Sequence, residues 1–277
     1  MLSSFESKRK MKTVFITRTK SKKDFDDDLK ELVHEVKLSG IQDIYILSNF
    51  EDHDCTMSSI QVIAVKDEDP TSPISINTVL NAVKDSKKNP DTFLVSSKEV
   101  GLKKKHIKAL IEELNKNKNL LVVGYKFEII NESDVIDEKL NNELQGYYAN
   151  KNLVAYKIPW NTCAVWNYES FDKHVSKFDE ITNRNPFNPV CVAIDGECNK
   201  TEHKGMEDGL AIAQAVSKKP SLKYKLIDKN FLSWKIKTDK KQSHREKLAR
   251  KDSVLRDFMA LRNYSVNDLV SADIYHK

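Results

Sequence analysis

The sequence predicts an α/β fold: a mostly parallel central sheet flanked by helices, with a helical C-terminal tail. Short apolar, β-branched runs alternate with amphipathic segments through the first half, the pattern of parallel strands joined by crossover helices. The composition, 39% hydrophobic and 31% charged over 277 residues, gives ample core and a solvated surface. No apolar run approaches the ~18 residues of a membrane-spanning helix.

In chain order, residues 1–11 read as a loose tail. Residues 13–17 (Thr-Val-Phe-Ile-Thr) form a short buried strand. A helix over 24–38 follows, with Phe25, Leu29, Leu32, Val33 and Val36 on one stripe and Gly40 as its stop. Strands over 44–47 and 60–65 come next, separated by the polar loop 48–54. A turn with Pro70 and Pro73 leads to a helix over 76–87, a strand over 92–96, a helix over 104–117 and a strand over 120–124. Ligands of such sheets sit at the carboxyl ends of the strands, which puts Thr17, Arg18, Ser48, Asn49, Ser96, Ser97 and Glu99 on the ligand edge.

The second half is less regular. Residues 154–158 read as a strand, 159–162 as a loop, 168–177 as a helix and 224–227 as a strand. The polar stretch 183–204, with Pro186 and Pro189, is long enough to be a functional or mobile loop. From residue 237 the chain is charged and helical, with Leu248, Leu255, Phe258, Met259, Leu261 and Leu269 as its apolar contacts. The boundaries are therefore a tail (1–11), one α/β domain (12–236) and a C-terminal extension (237–277).

Several chemistries are excluded. Only seven glycines are present, and neither GxGxxG nor GxxxxGK[ST] occurs, which removes the classical dinucleotide and P-loop folds. No GxSxG elbow marks a serine hydrolase. A nucleotidyltransferase on a similar sheet is disfavoured rather than excluded: it needs a glycine-rich basic loop after the first strand, and residues 17–23 are basic but contain no glycine. The four cysteines form no CxxC pair and the seven histidines no metal-ligand spacing. A net charge of +5 permits an anionic ligand without demanding nucleic acid. The polar amino terminus lacks the apolar core of a signal peptide, so a cytoplasmic location is expected.

One stretch concentrates chemistry. From Gly205 to Val216, Leu210, Ala213 and Val216 recur at helical spacing, with Glu207 and Asp208 in the first turn, where the helix dipole favours negative charge. A carboxylate held there serves either as a helix cap or as a general base.

The residues around it resemble family 2 glycosyltransferases. Asn161-Thr162-Cys163-Ala164-Val165-Trp166-Asn167-Tyr168-Glu169-Ser170-Phe171, running on to Phe178-Asp179-Glu180, is similar to that family's Asn-x-x-x-Phe-Arg-Arg-Glu-x-Phe and Gly-Phe-Asp-Glu segments. The Glu-Asp pair then opens a helix, here as Glu207-Asp208 after a longer insertion. A helix bearing Asn77 before the 93–97 strand also matches the order of the GT-A sheet.

The resemblance, over residues 12–230, implies a GT-A-like domain acting as an inverting hexosyltransferase. It would move a sugar from a nucleotide-diphospho-sugar donor to a hydroxyl acceptor, a saccharide or lipid-linked. It makes Asp208 the base and Glu207 its orienting neighbour. Thr17, Arg18, Asn49, Asp52, Asn77, Ser96, Ser97 and Lys98 fall on the donor side, and Trp160, Asn161 and Thr162 on the acceptor side. Trp166 is read as packing.

The departure is at the metal. Where the family carries Asp-x-Asp, this chain has Ser97-Lys98-Glu99. Three readings stay open: Ser97 and Glu99 hold Mg2+ or Mn2+, Lys98 neutralises the diphosphate directly, or the protein is a catalytically silent binding or scaffold subunit. The basic C-terminal tail, with acids interspersed, reads as a solvated helix or as a contact to an anionic membrane surface or partner enzyme.

Overall fold

The computed structural model describes residues 11–19, 27–49, 60–65, 74–127, 154, 157–179, 207–232, 251–252 and 254–274. Within these, the apolar runs form β1 (Thr13–Arg18), β2 (Asp43–Ser48), β3 (Ile60–Ala64), β4 (Thr92–Ser96), β5 (Leu120–Phe127), β6 (Cys163–Asn167) and β7 (Lys223–Leu232). The amphipathic segments form α1 (Asp27–Leu38), α2 (Ser75–Asp85), α3 (Lys104–Lys116), α4 (Tyr168–His174), α5 (Glu207–Lys218) and α6 (Val266–Ser271). Residues 254–261 are also helical.

All seven strands join one sheet in the order β3-β2-β1-β4-β6-β5-β7. Every pairing is parallel except those of β6, which is antiparallel to both β4 and β5. Helices cover both faces, so the central strands are apolar throughout: Phe15, Ile16, Phe93, Leu94 and Val95 are fully buried. α1 turns Leu29, Leu32, Val33 and Val36 inward, as the stripe predicts, and Gly40 follows it at φ 92°.

Two expectations change. The apolar run at 154–158 is not a strand where it is described: the Lys157 N–H donates to the Val154 carbonyl at 2.9 Å in a turn. Val154 and Ile158 are buried from that turn, and a short apolar run reads the same whether it is buried in a strand or in a loop. The sixth strand lies a few residues later, at Cys163–Asn167. β5 leaves the sheet at its carboxyl edge, and Cys163 enters beside Ser96 at that same edge, so β6 must run antiparallel.

Trp166 sits at the centre of an aromatic cluster, its ring parallel to Phe93 at 6.0 Å and edge-on to Phe171 and Phe178. The C-terminal residues belong to the same body. Leu255, Met259 and Leu269 are fully buried, and residues 272–274 hydrogen-bond along the start of β7 through the Tyr224 backbone. Those apolar side chains are used inside the core, which leaves them unavailable to a membrane or partner surface. No helix among the described residues is long and apolar enough to cross a membrane.

Gly124, paired with Ala164, lets the 157–162 loop lie on the sheet. A Cβ there would stand 2.8 Å from Pro159 Cβ and 3.2 Å from the Cys163 carbonyl oxygen. Gly124→Ala is expected to cost about 1–3 kcal/mol in urea unfolding. An unchanged midpoint would contradict this packing.

Candidate functional site

The crossover geometry fixes where the carboxylates go. β7 is parallel to β5 and begins beside Leu120, at the sheet's amino edge. The helix before it, α5, therefore runs from the carboxyl edge to the amino edge, and its first turn, Glu207 and Asp208, arrives where β1 and β4 end. The register that pairs Ile16 with Val95 carries Arg18 alongside Ser97 at the same edge.

Asn161 ties these parts together. Its backbone N–H donates to Asp208 Oδ2 at 3.0 Å and its Nδ2 to Oδ1 at 2.7 Å, a two-point clamp on the carboxylate. Its Oδ1 accepts from the Trp166 indole N–H at 2.9 Å. An indole can only donate and a carboxylate only accept, so the side-chain amide is held in one orientation. The Asn161 carbonyl accepts from the Arg18 guanidinium at 3.3 Å. Asp208 remains able to act, since each oxygen keeps a second lone pair.

Both acids are buried, Glu207 at 3% and Asp208 at 7% exposure. Glu207 is pushed up to about 7: burial raises it most, the neighbouring Asp208 adds to this, and Lys251 and Arg18 oppose. Asp208 is also raised by burial, against the Asn161 hydrogen bond and the same two cations. The helix dipole favours a first-turn carboxylate by about 0.3–1 kcal/mol. A rise from 4.5 to about 7 corresponds to about 3 kcal/mol the other way, so burial wins.

The remaining sequence candidates are placed as follows. Thr17 is fully buried and its Oγ1 has no hydrogen-bond partner. Ser96 is buried, its hydroxyl 3.3 Å from the Ser97 carbonyl and 3.5 Å from that of Thr162. The Ser97 N–H donates to the Thr162 carbonyl at 2.9 Å, binding the end of β4 to the loop before β6. Lys98 is half-buried in the turn that follows. Asn49 is exposed just past β2, and Asp52 lies outside the described residues.

Asn77 and Trp160 have internal partners. Asn77 donates to the Phe178 carbonyl and accepts from its N–H, both at 2.8 Å, which fastens α2 to the chain beyond α4. Trp160 is 6% exposed, its ring stacked on Phe127 at 5.9 Å. The site thus brings together Arg18, Ser97, Asn161, Thr162, Glu207 and Asp208. Lys251 is the addition: the sequence placed it among many basic residues of the tail, with nothing to single it out.

At the Asp-x-Asp position the donor set is thin. The Ser97 hydroxyl hydrogen-bonds to the Glu99 carboxylate, with Lys98 between them in sequence. Among the described residues no three His, Cys, Asp or Glu side chains gather to hold a metal. One exposed carboxylate and a hydroxyl engaged with it do not fit a divalent-metal site.

No family model matches the sequence, and no curated protein matches it. Its architecture does match solved structures. A mannosyltransferase from Pyrobaculum calidifontis, in complex with GDP-Man and Mn2+, aligns with a TM-score of 0.57 at 8% identity, over 92% of this chain and 65% of that one. Glucosyl-3-phosphoglycerate synthase from Mycobacterium tuberculosis, in complex with Mn2+ and uridine-diphosphate-glucose, aligns at 0.52 and 8% identity, over 92% and 80%. At this identity the likeness is one of fold: the chain has the GT-A fold of nucleotide-diphospho-sugar transferases, a mostly parallel mixed sheet flanked by helices.

The buried pair predicts a pH dependence of stability. Between about 4.5 and 7 the folded protein holds on Glu207 a proton that the unfolded chain has released, so this group's contribution to stability falls as pH rises through that window. Glu207→Gln is expected to remove that part of the slope, gaining about 3 kcal/mol relative to wild type at pH 8 over pH 4. Parallel slopes for the two proteins in urea unfolding would contradict the burial argument.

Proposed function

We propose that this protein transfers a sugar from a nucleotide-diphospho-sugar to a hydroxyl acceptor with inversion. The observation that carries the reading is the Asn161-held Asp208 at the carboxyl edge of a GT-A sheet. A hydroxyl is a poor nucleophile until a carboxylate takes its proton as the new bond forms. In this reading Asp208 takes that proton, the acceptor oxygen bonds to the anomeric carbon from the face opposite the diphosphate, and the bond from that carbon to the diphosphate oxygen breaks. Glu207 stands beside Asp208 as its electrostatic neighbour. Arg18 and Lys98, at the ends of adjacent strands, face the growing negative charge on the leaving diphosphate.

The nucleotide would lie across the carboxyl edge, with Thr17, Ser96 and Ser97 beneath it and Asn49 and Asp52 toward the base. The acceptor would approach over Asn161 and Thr162, whose loop is anchored by Trp160. The glycosyltransferase neighbours, solved with GDP-Man or uridine-diphosphate-glucose, support this class of donor. A second reading, a donor-binding protein without turnover, draws on Ser97-Lys98-Glu99 standing where the related pattern has paired acids.

Thermal unfolding against a panel of nucleoside diphosphates and nucleotide-sugars, with and without Mn2+ or Mg2+, separates the readings. A true donor at about 100 times its Kd adds about 2.7 kcal/mol and raises the midpoint by a few degrees. Asp208→Asn is expected to keep the donor shift and lose about 10²–10⁴-fold in transfer. A donor shift without transfer by the wild type would favour the binding protein, and no shift with any donor would sink both.

A further inference from the structure

The C-terminal helical stretch reaches the carboxylate pair. A Cβ on Gly209 would stand 2.6 Å from Leu255 Cδ2 and 2.8 Å from Ile158 Cδ1, so the first turn of α5, the 157–162 loop and the 254–261 helix meet at this glycine. Leu255 is fully buried in that contact. The chain is helical on both sides of residue 253, and an i,i+4 pair at 2.8 Å joins Asp252 to Arg256 across it. Lys251 therefore precedes Leu255 by one turn on the same helical face, over the start of α5. Its ammonium acts on both Glu207 and Asp208 and favours their ionised forms.

We propose that the C-terminal helix completes the site, Lys251 being the positioning cation that, with Arg18, opposes the effect of burial and favours the ionised, proton-accepting form of the Glu207–Asp208 pair. Two buried carboxylates cannot both ionise without compensation. The charges that act on them come from three elements: Arg18 on β1, Lys251 on the C-terminal helix, and the neighbouring acid on α5. Two cations against two anions make the cluster neutral when all four are charged. Without Lys251 the fully ionised cluster would carry a net charge of −1, so Glu207 would hold its proton to a higher pH than in the wild type. The electrostatic claim rests on the packing of the C-terminal helix against α5 together with the charge it brings there, and its use in proton transfer rests on the transferase reading.

The test follows the Glu207 carboxyl by 13C NMR in the full-length protein, with the resonance assigned by its loss in Glu207→Gln. The wild type should titrate near pH 7. Lys251→Met and Lys251→Gln should raise the midpoint by about one unit or more, at least tenfold in proton affinity, while Lys251→Arg restores it to within a few tenths. Thermal melts confirm that each variant is folded. In transfer assays the acid limb of kcat/KM should move upward by the same interval. An unchanged Glu207 midpoint in folded Lys251→Met overturns the proposal whatever the activity. A shifted midpoint in a protein that binds no donor supports the role of Lys251 and removes the transferase reading instead.

Discussion

The interaction on which the rest depends is the clamp of Asn161 on Asp208. One residue joins the loop before β6 to the first turn of α5, takes up the Trp166 indole from the aromatic core, and receives Arg18 from the end of β1. Every group in it is buried or half-buried. In such surroundings a satisfied network holds more than the sum of its pairs, and losing one member leaves its neighbours to bear the full desolvation cost. The clamp therefore fixes position and orientation together: the carboxylate cannot turn without releasing the loop.

The electrostatics around it are a contest that burial wins. Helix α5 begins with two acids, which the dipole favours, yet burial of its first two turns raises both, Glu207 to about 7. Even Gly209 is pressed between Ile158 and Leu255. A helix cap on the surface would have left its acids wet and fully ionised at neutral pH. Desolvated carboxylates with cations arriving from two other elements are the surroundings that the proposed proton transfer needs, and they differ from those of a solvated helix cap.

Much of this architecture was legible in the chain. β1 to β5 and α1 to α3 followed from alternating apolar runs and helical stripes, because a strand buried on both faces and an amphipathic helix each leave a distinct local period. β6 was hidden, since Cys163–Asn167 is short and antiparallel and its place between β4 and β5 depends on partners far away in sequence. The run at 154–158 had a strand's composition but a turn's hydrogen bonds. Glu207 and Asp208 are marked in the chain by their place at a helix start, and Asn161 by the motif it opens. The clamp between Asn161 and Asp208 was not legible, nor was the tie from Asn77 to Phe178. Contacts between residues 47 and 101 positions apart leave no local period. Lys251 was one basic residue among many until packing set it over α5.

The GT-A fold supplies the edge, the clamp supplies an oriented carboxylate, and Arg18 and Lys251 supply the positive charge around it. The most direct measurement of that account is a double-mutant cycle between Asn161→Ala and Asp208→Ala, read as unfolding free energy. The clamp predicts strong coupling, with the double variant less destabilised than the sum of the singles by about 1–3 kcal/mol. Additive effects would mean that the two residues are neighbours without a shared bond, and the site would lose the constraint that organises it.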